Sequence, residues 1–231
     1  MNTPLKPFTF SITDNIRTAW ATFKRHAWFY VGITIIMGLL NIPDSLKEEQ
    51  HIVLTIAISI VSIVFSYMLL SIFLRAVDGK DEVLRFSALR THLPTFHQFL
   101  MIIEIGILVG LAVLGGLVLL IIPGIYILVR FSLAQFAYID RNGRAINALR
   151  YSWKLVTKDV FWTVLLTLLT AIVLIVVGAV FFGIGLLVTY PIAMLLIAQL
   201  YRALTLRSEI TEPVIVAGDD IPADIPVIEV A

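Results

Sequence analysis

Cysteine is absent from this 231-residue chain, and charged residues make up only 14% of it. Without cysteine, the chain has no disulfide, no thiolate metal site and no cysteine nucleophile. Soluble domains have about 25% charged residues, so the shortage of charge, together with 59% hydrophobic residues, is typical of a membrane protein. Much of the apolar surface must therefore face lipid.

Sequence motifs of catalysis are also missing. No P-loop, GxSxG nucleophile elbow or HExxH zinc motif occurs in the chain. The histidines are scattered, and the pair His92 and His97 has a spacing that does not share a helix face. We therefore expect no enzymatic activity, no metal and no other cofactor.

The few charges are unevenly distributed. Residues 1–207 contain all 17 Lys and Arg against 10 acids, whereas residues 208–231 contain six acids and no base. The latter segment has three prolines and only short apolar islands, which predicts an acidic, disordered tail. Two alternatives stay open for it: the tail docks on basic helices of the same chain, or it is solvated.

The apolar segments predict six membrane spans, of which the first is short, with about 15 clearly apolar residues. A single helix over residues 99–139 would be about 60 Å long, twice the thickness of the hydrocarbon core, so a turn is expected at Pro123 and Gly124. Gly183 and Gly185 supply a second such turn. We therefore predict an all-α integral membrane protein whose six transmembrane helices form three hairpins. The predicted spans are about 28–42, 52–74, 99–121, 124–139, 160–182 and 186–204.

Basic amphipathic stretches precede the hairpins, at about residues 12–27, 82–93 and 143–158. Helices of this kind lie in the membrane interface, where tryptophan anchors them and bases attract anionic headgroups. The expected anchors are Trp20, Trp28, Trp153 and Trp162. The expected contacts to anionic lipid are Arg17, Lys24, Arg25, Arg144, Arg150, Lys154 and Lys158.

Connections between the predicted spans carry a strong charge bias. With the N-terminus inside, 15 Lys and Arg lie in cytoplasmic segments and Lys47 alone lies outside. Because Lys and Arg are enriched on the cytoplasmic side of membrane proteins, we expect both chain ends to be cytoplasmic.

A short internal repeat links two of the amphipathic stretches. Ile16-Arg17-Thr18-Ala19-Trp20 matches Leu149-Arg150-Tyr151-Ser152-Trp153, and Leu89-Arg90 begins a degenerate third copy. The repeated unit is a basic interfacial helix followed by two spans. The alternative is that membrane-interface chemistry alone produced the similarity.

The second copy of this unit carries a family resemblance. Ile122-Pro123-Gly124, Arg130, Gly143, Ala148-Leu149-Arg150, Ser152-Trp153 and Phe161-Trp162 form one pattern of about 45 residues. This pattern resembles bacterial six-transmembrane proteins of unknown function and the membrane domain attached to some glycerophosphoryl diester phosphodiesterases. The resemblance implies an all-helical domain of the bacterial inner membrane with no established catalytic residues. Phosphodiesterase activity is not implied, because in the fused proteins it belongs to a separate soluble barrel.

Arg130 and Glu104 are charged residues inside predicted spans. Their predicted depths differ by only about 5 Å, at 1.5 Å per residue, so we expect a salt bridge between them, extended by Gln135. In one interpretation the pair only holds a hairpin together. In the other it lines a polar cavity for a solute, a proton or a lipid headgroup.

Two functions fit these features. We expect a non-enzymatic membrane scaffold or lipid-interacting protein, with anionic lipid rather than nucleic acid as its partner. The alternative is a transporter of small solutes or lipid with a polar site near Arg130 and Glu104. A GxxxG pattern at Gly106 and Gly110 allows close helix packing, either within the chain or with a second copy or another protein.

Overall fold

The computed structural model describes residues 10–40, 52–79, 93–141, 143–180 and 183–211. Within these ranges the chain is all-helical and has no strand. The helices are α1 (Ile12–Arg25), α2 (Ala27–Leu40), α3 (Ile52–Val77), α4 (Phe96–Leu119), α5 (Ile121–Phe131), α6 (Ala134–Arg141), α7 (Ala145–Leu155), α8 (Phe161–Val180) and α9 (Leu186–Thr211).

Five segments of the described chain are long and apolar enough to cross a membrane, which confirms the expected multi-pass membrane class. The predicted first span corresponds to α2, which has 14 residues in the described part of the chain and a rise of about 21 Å. That length is shorter than a hydrocarbon core of about 30 Å. The five segments are Thr55–Val77, Phe96–Val118, Ile121–Arg141, Phe161–Val180 and Leu186–Ser208.

The break expected at Pro123 and Gly124 lies instead at Leu120, whose backbone is extended. Pro123 falls in the first turn of α5, where its fixed φ suits a helix. Amides in the first turn have no acceptor within the helix, so the missing N–H of proline costs no helical hydrogen bond. Gly124 has a packing role, because a Cβ on Gly116 would lie 2.8 Å from the Gly124 Cα. The two glycines therefore let α4 and α5 pack closely.

The break expected at Gly183 and Gly185 is present between α8 and α9. Gly183 has φ of 77°, a left-handed conformation that favours glycine. A Cβ on Gly185 would lie 2.8 Å from the Gly178 Cα, so this break also brings two helices close together. After it, α9 continues to Thr211, beyond the predicted end at residue 204. The first residues of the predicted tail are therefore helical, and residues 212–231 lie outside the described residues.

The span predicted at 124–139 is interrupted. α5 ends at Phe131, Ser132 and Leu133 form a turn, and α6 begins at Ala134. Ile121–Arg141 as a whole is apolar enough to cross a membrane, and hydrophobicity alone does not mark the turn within it. The interruption lies two residues after Arg130.

The amphipathic helices α1 and α7 bury matching positions of the sequence repeat. Ala19 and its counterpart Ser152 are both fully buried, whereas Trp20 and Trp153 are both partly exposed. Ser11 caps α1 by accepting a hydrogen bond from the Asp14 amide at 3.3 Å. The third predicted interfacial helix, at 82–93, lies almost entirely outside the described residues.

The core lies around α9, which contacts α1, α2, α3 and α8. Tyr30 of α2 stacks on Phe73 of α3 with ring centroids 5.8 Å apart, and Tyr201 of α9 stacks on Phe136 of α6 at the same separation. All four rings are buried. The charged ends of α3, α6 and α9 meet at one end of this core.

Candidate functional site

Arg130 is buried, with 8% of its surface exposed, near the end of α5. Its Nε and Nη2 donate to the Tyr126 hydroxyl oxygen at 3.0 and 2.6 Å, and its Nη1 donates to the Trp153 carbonyl at 2.8 Å. The guanidinium also lies over two aromatic rings, 5.1 Å from the Tyr126 centroid and 4.7 Å from that of Trp153. Oxygen lone pairs and aromatic faces therefore stabilise the charge without a carboxylate.

The interruption after α5 explains why Arg130 is held this way. The last carbonyls of a helix lack intrahelical donors, and the Ser152 hydroxyl of α7 donates to the carbonyl of Arg130 at 2.8 Å. The Arg130 side chain contacts α7 in return, through Trp153. Residues of α7 thus satisfy polar groups at the break in the fourth predicted span.

The predicted salt bridge between Arg130 and Glu104 is not formed. Among the described residues the ion pairs use other partners, and Glu104 is exposed on α4. Gln135 is exposed on α6, beyond the break, and it makes no hydrogen bond to Arg130. Depth along the spans was the basis of the prediction, but depth does not determine which helix faces meet.

The four tryptophans differ in their surroundings. Trp28 and Trp162 are 89% and 68% exposed, as expected of interfacial anchors. Trp20 is partly exposed, and Lys24 lies over its ring at 5.7 Å. Trp153 instead packs on Phe131, with centroids 5.3 Å apart, as well as on Arg130. Trp153 therefore stabilises the contact between α7 and the interrupted span.

A second charged cluster, centred on Arg202 of α9, was missed by the sequence reasoning. The Arg202 Nη2 donates to Asp78 at 2.6 Å, and its Nη1 donates to Asp140 at 2.7 Å. The Tyr201 hydroxyl donates to the other oxygen of Asp140 at 2.9 Å. These contacts join the end of α3, the end of α6 and α9. The available signal was that all three charged groups lie at predicted span ends on the same side of the membrane.

A third polar contact lies just before α8. The Asp159 carboxylate accepts hydrogen bonds from Thr157 and Arg207. The Thr157 hydroxyl, followed by Arg207, lowers the pKa of Asp159 against the opposite effect of partial burial. Because Arg207 belongs to α9, this contact ties the start of α8 to the charged end of the last helix.

Exposed bases lie on or beside both amphipathic helices. All seven bases predicted to contact anionic lipid are exposed, on α1 and around α7. α1 contributes Asn15, Thr18 and Thr22 to a groove of about 620 Å³ whose other wall includes Arg202 and Thr205 of α9. On the α7 side, the Tyr151 hydroxyl lies 3.4 Å from that of Ser208. Both amphipathic helices therefore pack at the C-terminal half of α9.

Two adjoining cavities lie between α3, α4 and α6. The first is a mainly apolar groove of about 500 Å³, lined by residues such as Ile63, Leu70, Ile102 and Gln135. The second is a polar cavity of about 380 Å³, lined by residues such as Arg75, Asp78, Asp140 and Arg202. Tyr67 and Ile139 line both, so the groove leads into the polar cavity.

The described part of the chain has no group of candidate metal ligands. There, no three His, Asp or Glu side chains are grouped so that they could hold a metal ion. Comparison of the chain with protein-family models, curated proteins and solved structures found no match. The resemblance to six-transmembrane bacterial proteins therefore stays a prediction.

Proposed function

We propose that this protein is a non-enzymatic, multi-pass protein of the bacterial cytoplasmic membrane that binds anionic lipid, as a scaffold or lipid-interacting protein. The observation that carries the proposal is the placement of α1 and α7. Both helices pack on the C-terminal half of α9, and the bases on and beside them are exposed. A cluster of Lys and Arg on amphipathic helices attracts anionic headgroups by about 1 kcal/mol per base.

The proposed topology has six spans in three hairpins, with α2 as the first span and both chain ends in the cytoplasm. The charge bias of the connections supports this orientation. The close glycine contacts beside the two helix breaks support antiparallel pairing of α4 with α5 and of α8 with α9. Reporter fusions at each terminus, active only in the cytoplasm, test the orientation; a periplasmic terminus would contradict it.

A transporter with a polar site at Arg130 and Glu104 has less support. Such a protein needs a water-filled path or cavity that reaches the intramembrane charge. Arg130 is instead enclosed by Tyr126 and Trp153, and it lines none of the three cavities described above. The geometry favours a structural role for this residue.

The lipid proposal is tested by mass spectrometry of lipid that co-purifies with the full chain. We expect enrichment of anionic phospholipid over the bulk membrane, and a loss of that enrichment at high salt. A variant with Gln at the four bases around α7 should lose much of it. These bases are Arg144, Arg150, Lys154 and Lys158.

The matched control keeps the charge at those four positions by exchanging Lys and Arg for one another. It should retain the enrichment, because the attraction depends on charge rather than on the shape of one side chain. Lipid of bulk composition on the wild-type protein, or equal enrichment in the Gln variant, would contradict the proposal.

A further inference from the structure

One face of α3 passes continuously from the apolar groove into the polar cavity. Ile63, Tyr67, Leu70, Leu74 and Asp78 follow each other at intervals of three or four residues, so they share this face. The first of them line the groove and the last line the polar cavity. From Ser62 to Asp78 the helix rises about 24 Å, at 1.5 Å per residue. One leaflet of a bilayer, headgroup included, is about 20–22 Å thick.

Gln135 places a side-chain amide in the groove. Gln135 lies within a candidate membrane span, is exposed and lines the apolar groove. Among the residues that the structure describes, none forms a hydrogen bond with its side-chain amide. An unpaired amide at this depth is costly in hydrocarbon. The ester oxygens of a glycerolipid are acceptors that would pair with it.

The polar cavity presents one positive and one net negative site. Arg202 carries a single positive charge between two carboxylates, those of Asp78 and Asp140, which leaves the three-residue cluster one charge negative. Arg75 is exposed on the same wall and forms no ion pair with any described residue. Arg75 lies three residues before Asp78, which directly follows α3 and whose amide still donates to the Leu74 carbonyl, so their Cβ atoms are about 5–6 Å apart.

We propose that the joined cavities bind one molecule of a zwitterionic phospholipid with a primary ammonium group, phosphatidylethanolamine. Its acyl chain lies in the groove, and Gln135 donates to an ester oxygen. Arg75 binds the phosphate, and the ammonium group donates to Asp78 and Asp140. The cation and anion of this headgroup match the opposite charges of the cavity, whereas a purely anionic headgroup leaves the net negative charge of the Arg202 cluster unbalanced. None of the seven exposed bases on α1 and around α7 lines these two cavities, so the proposal does not depend on those bases.

Native mass spectrometry of the full chain in detergent, titrated separately with three phospholipids, tests the proposal. Phosphatidylethanolamine should bind about tenfold more tightly than phosphatidylglycerol, which lacks the cation. It should also bind more tightly than phosphatidylcholine, which keeps the charge but has no N–H to donate. Tighter binding of phosphatidylglycerol, or equal binding of all three, would overturn the proposal.

Three variants assign the binding to this site. Arg75→Gln should weaken binding of phosphatidylethanolamine about tenfold, since it removes a charged hydrogen bond. Gly106→Leu should abolish most binding, because Gly106 lines the groove and a Cβ there meets no atom within 4 Å. Gly110→Leu is its matched control on α4: a Cβ there also meets no atom, and Gly110 does not line the groove.

If Arg75→Gln does not fold, Gly106→Leu still tests the proposal. Leucine favours a helix more than glycine does, so the Gly106→Leu variant should fold. Retained binding in Gly106→Leu would overturn the proposal. Equal loss in Gly106→Leu and Gly110→Leu would also overturn it, because that result indicates a helix-packing surface instead of a lipid groove. The α7 charge variants should leave phosphatidylethanolamine binding unchanged, because none of their four bases lines either cavity.

Discussion

The Ser152 hydroxyl donates to the carbonyl oxygen of Arg130 at 2.8 Å, and the Arg130 guanidinium donates to the carbonyl of Trp153, the residue next to Ser152, at the same distance. Each of the two segments therefore satisfies a polar group of the other. In hydrocarbon no water can take over these hydrogen bonds, so an interrupted span needs protein partners at its break. α7 provides them, so this amphipathic helix packs as part of the helical core.

Replacing Ser152 with Ala should lower the stability of the folded protein. The change leaves the Arg130 carbonyl without its donor in a fully buried site, which costs about 1–3 kcal/mol. Thermal unfolding in detergent, followed by tryptophan fluorescence, measures the loss as a lower Tm. Ser59→Ala is the control, because that exposed hydroxyl bonds only within its own helix, and its effect should stay within about 0.5 kcal/mol. Equal Tm values for the two variants would contradict the role of Ser152.

Arg130→Lys should also destabilise the protein although it keeps the charge. A single ammonium group cannot bond both the Tyr126 hydroxyl and the Trp153 carbonyl and also lie near both rings, so we expect a loss of about 1–3 kcal/mol. Glu104→Gln should leave the Tm unchanged within error, since Glu104 is exposed and does not pair with Arg130. If Glu104→Gln destabilised the protein as much as Arg130→Lys, the two residues would be coupled after all. The comparison uses the same unfolding measurement.

A double-mutant cycle with Arg202→Gln and Asp140→Asn should reveal strong coupling. The two side chains are 24% and 19% exposed and 2.7 Å apart, so removing either one leaves a poorly solvated charge. We expect a coupling free energy of about 1–3 kcal/mol. The matched cycle on Arg17 and Asp14 should give a value near zero, because that pair is highly exposed and 4.0 Å apart. Coupling of the same size in both cycles would contradict the structural importance of Arg202.

Composition predicts the helical membrane class of this chain, because long apolar stretches have few other stable structures. The positions of the breaks are less predictable. Pro123 is as well suited to the first turn of a helix as to a turn between helices, and only the contact between Gly116 and Gly124 reveals which one is used. The turn at Ser132 has no compositional mark at all.

The polar contacts are the least predictable part of the site. Arg202 pairs with residues 124 and 62 positions away, and sequence spacing carries no information about such distances. The prediction for Arg130 assumed that a buried cation needs an acid. The charge of Arg130 is stabilised instead by two aromatic rings, a hydroxyl and a backbone carbonyl. No sequence pattern indicates which backbone carbonyl a side chain will contact.

The stability of the contact at Asp159 should depend on pH. Hydrogen bonds from Thr157 and Arg207 lower the pKa of Asp159 below its usual value of about 3.9. A carboxylate with a lowered folded-state pKa adds stability at pH values above its unfolded pKa, and that contribution disappears as the pH falls through the folded pKa. The wild type should therefore have a higher Tm than Asp159→Asn at pH 7, and the difference should shrink below about pH 4.

The salt dependence of the Tm difference between the wild type and Asp159→Asn distinguishes the contributions of Arg207 and Thr157. Asp159 is more than half exposed, so ions screen the attraction of Arg207, whereas the short-range hydrogen bond from Thr157 is affected much less. At neutral pH, high salt should therefore reduce the Tm difference without removing it, and Thr157→Val should reduce what is left. A difference that is constant from pH 7 to pH 3 would mean that Asp159 titrates alike in the folded and unfolded chain. A difference that vanishes in salt would assign the whole effect to Arg207.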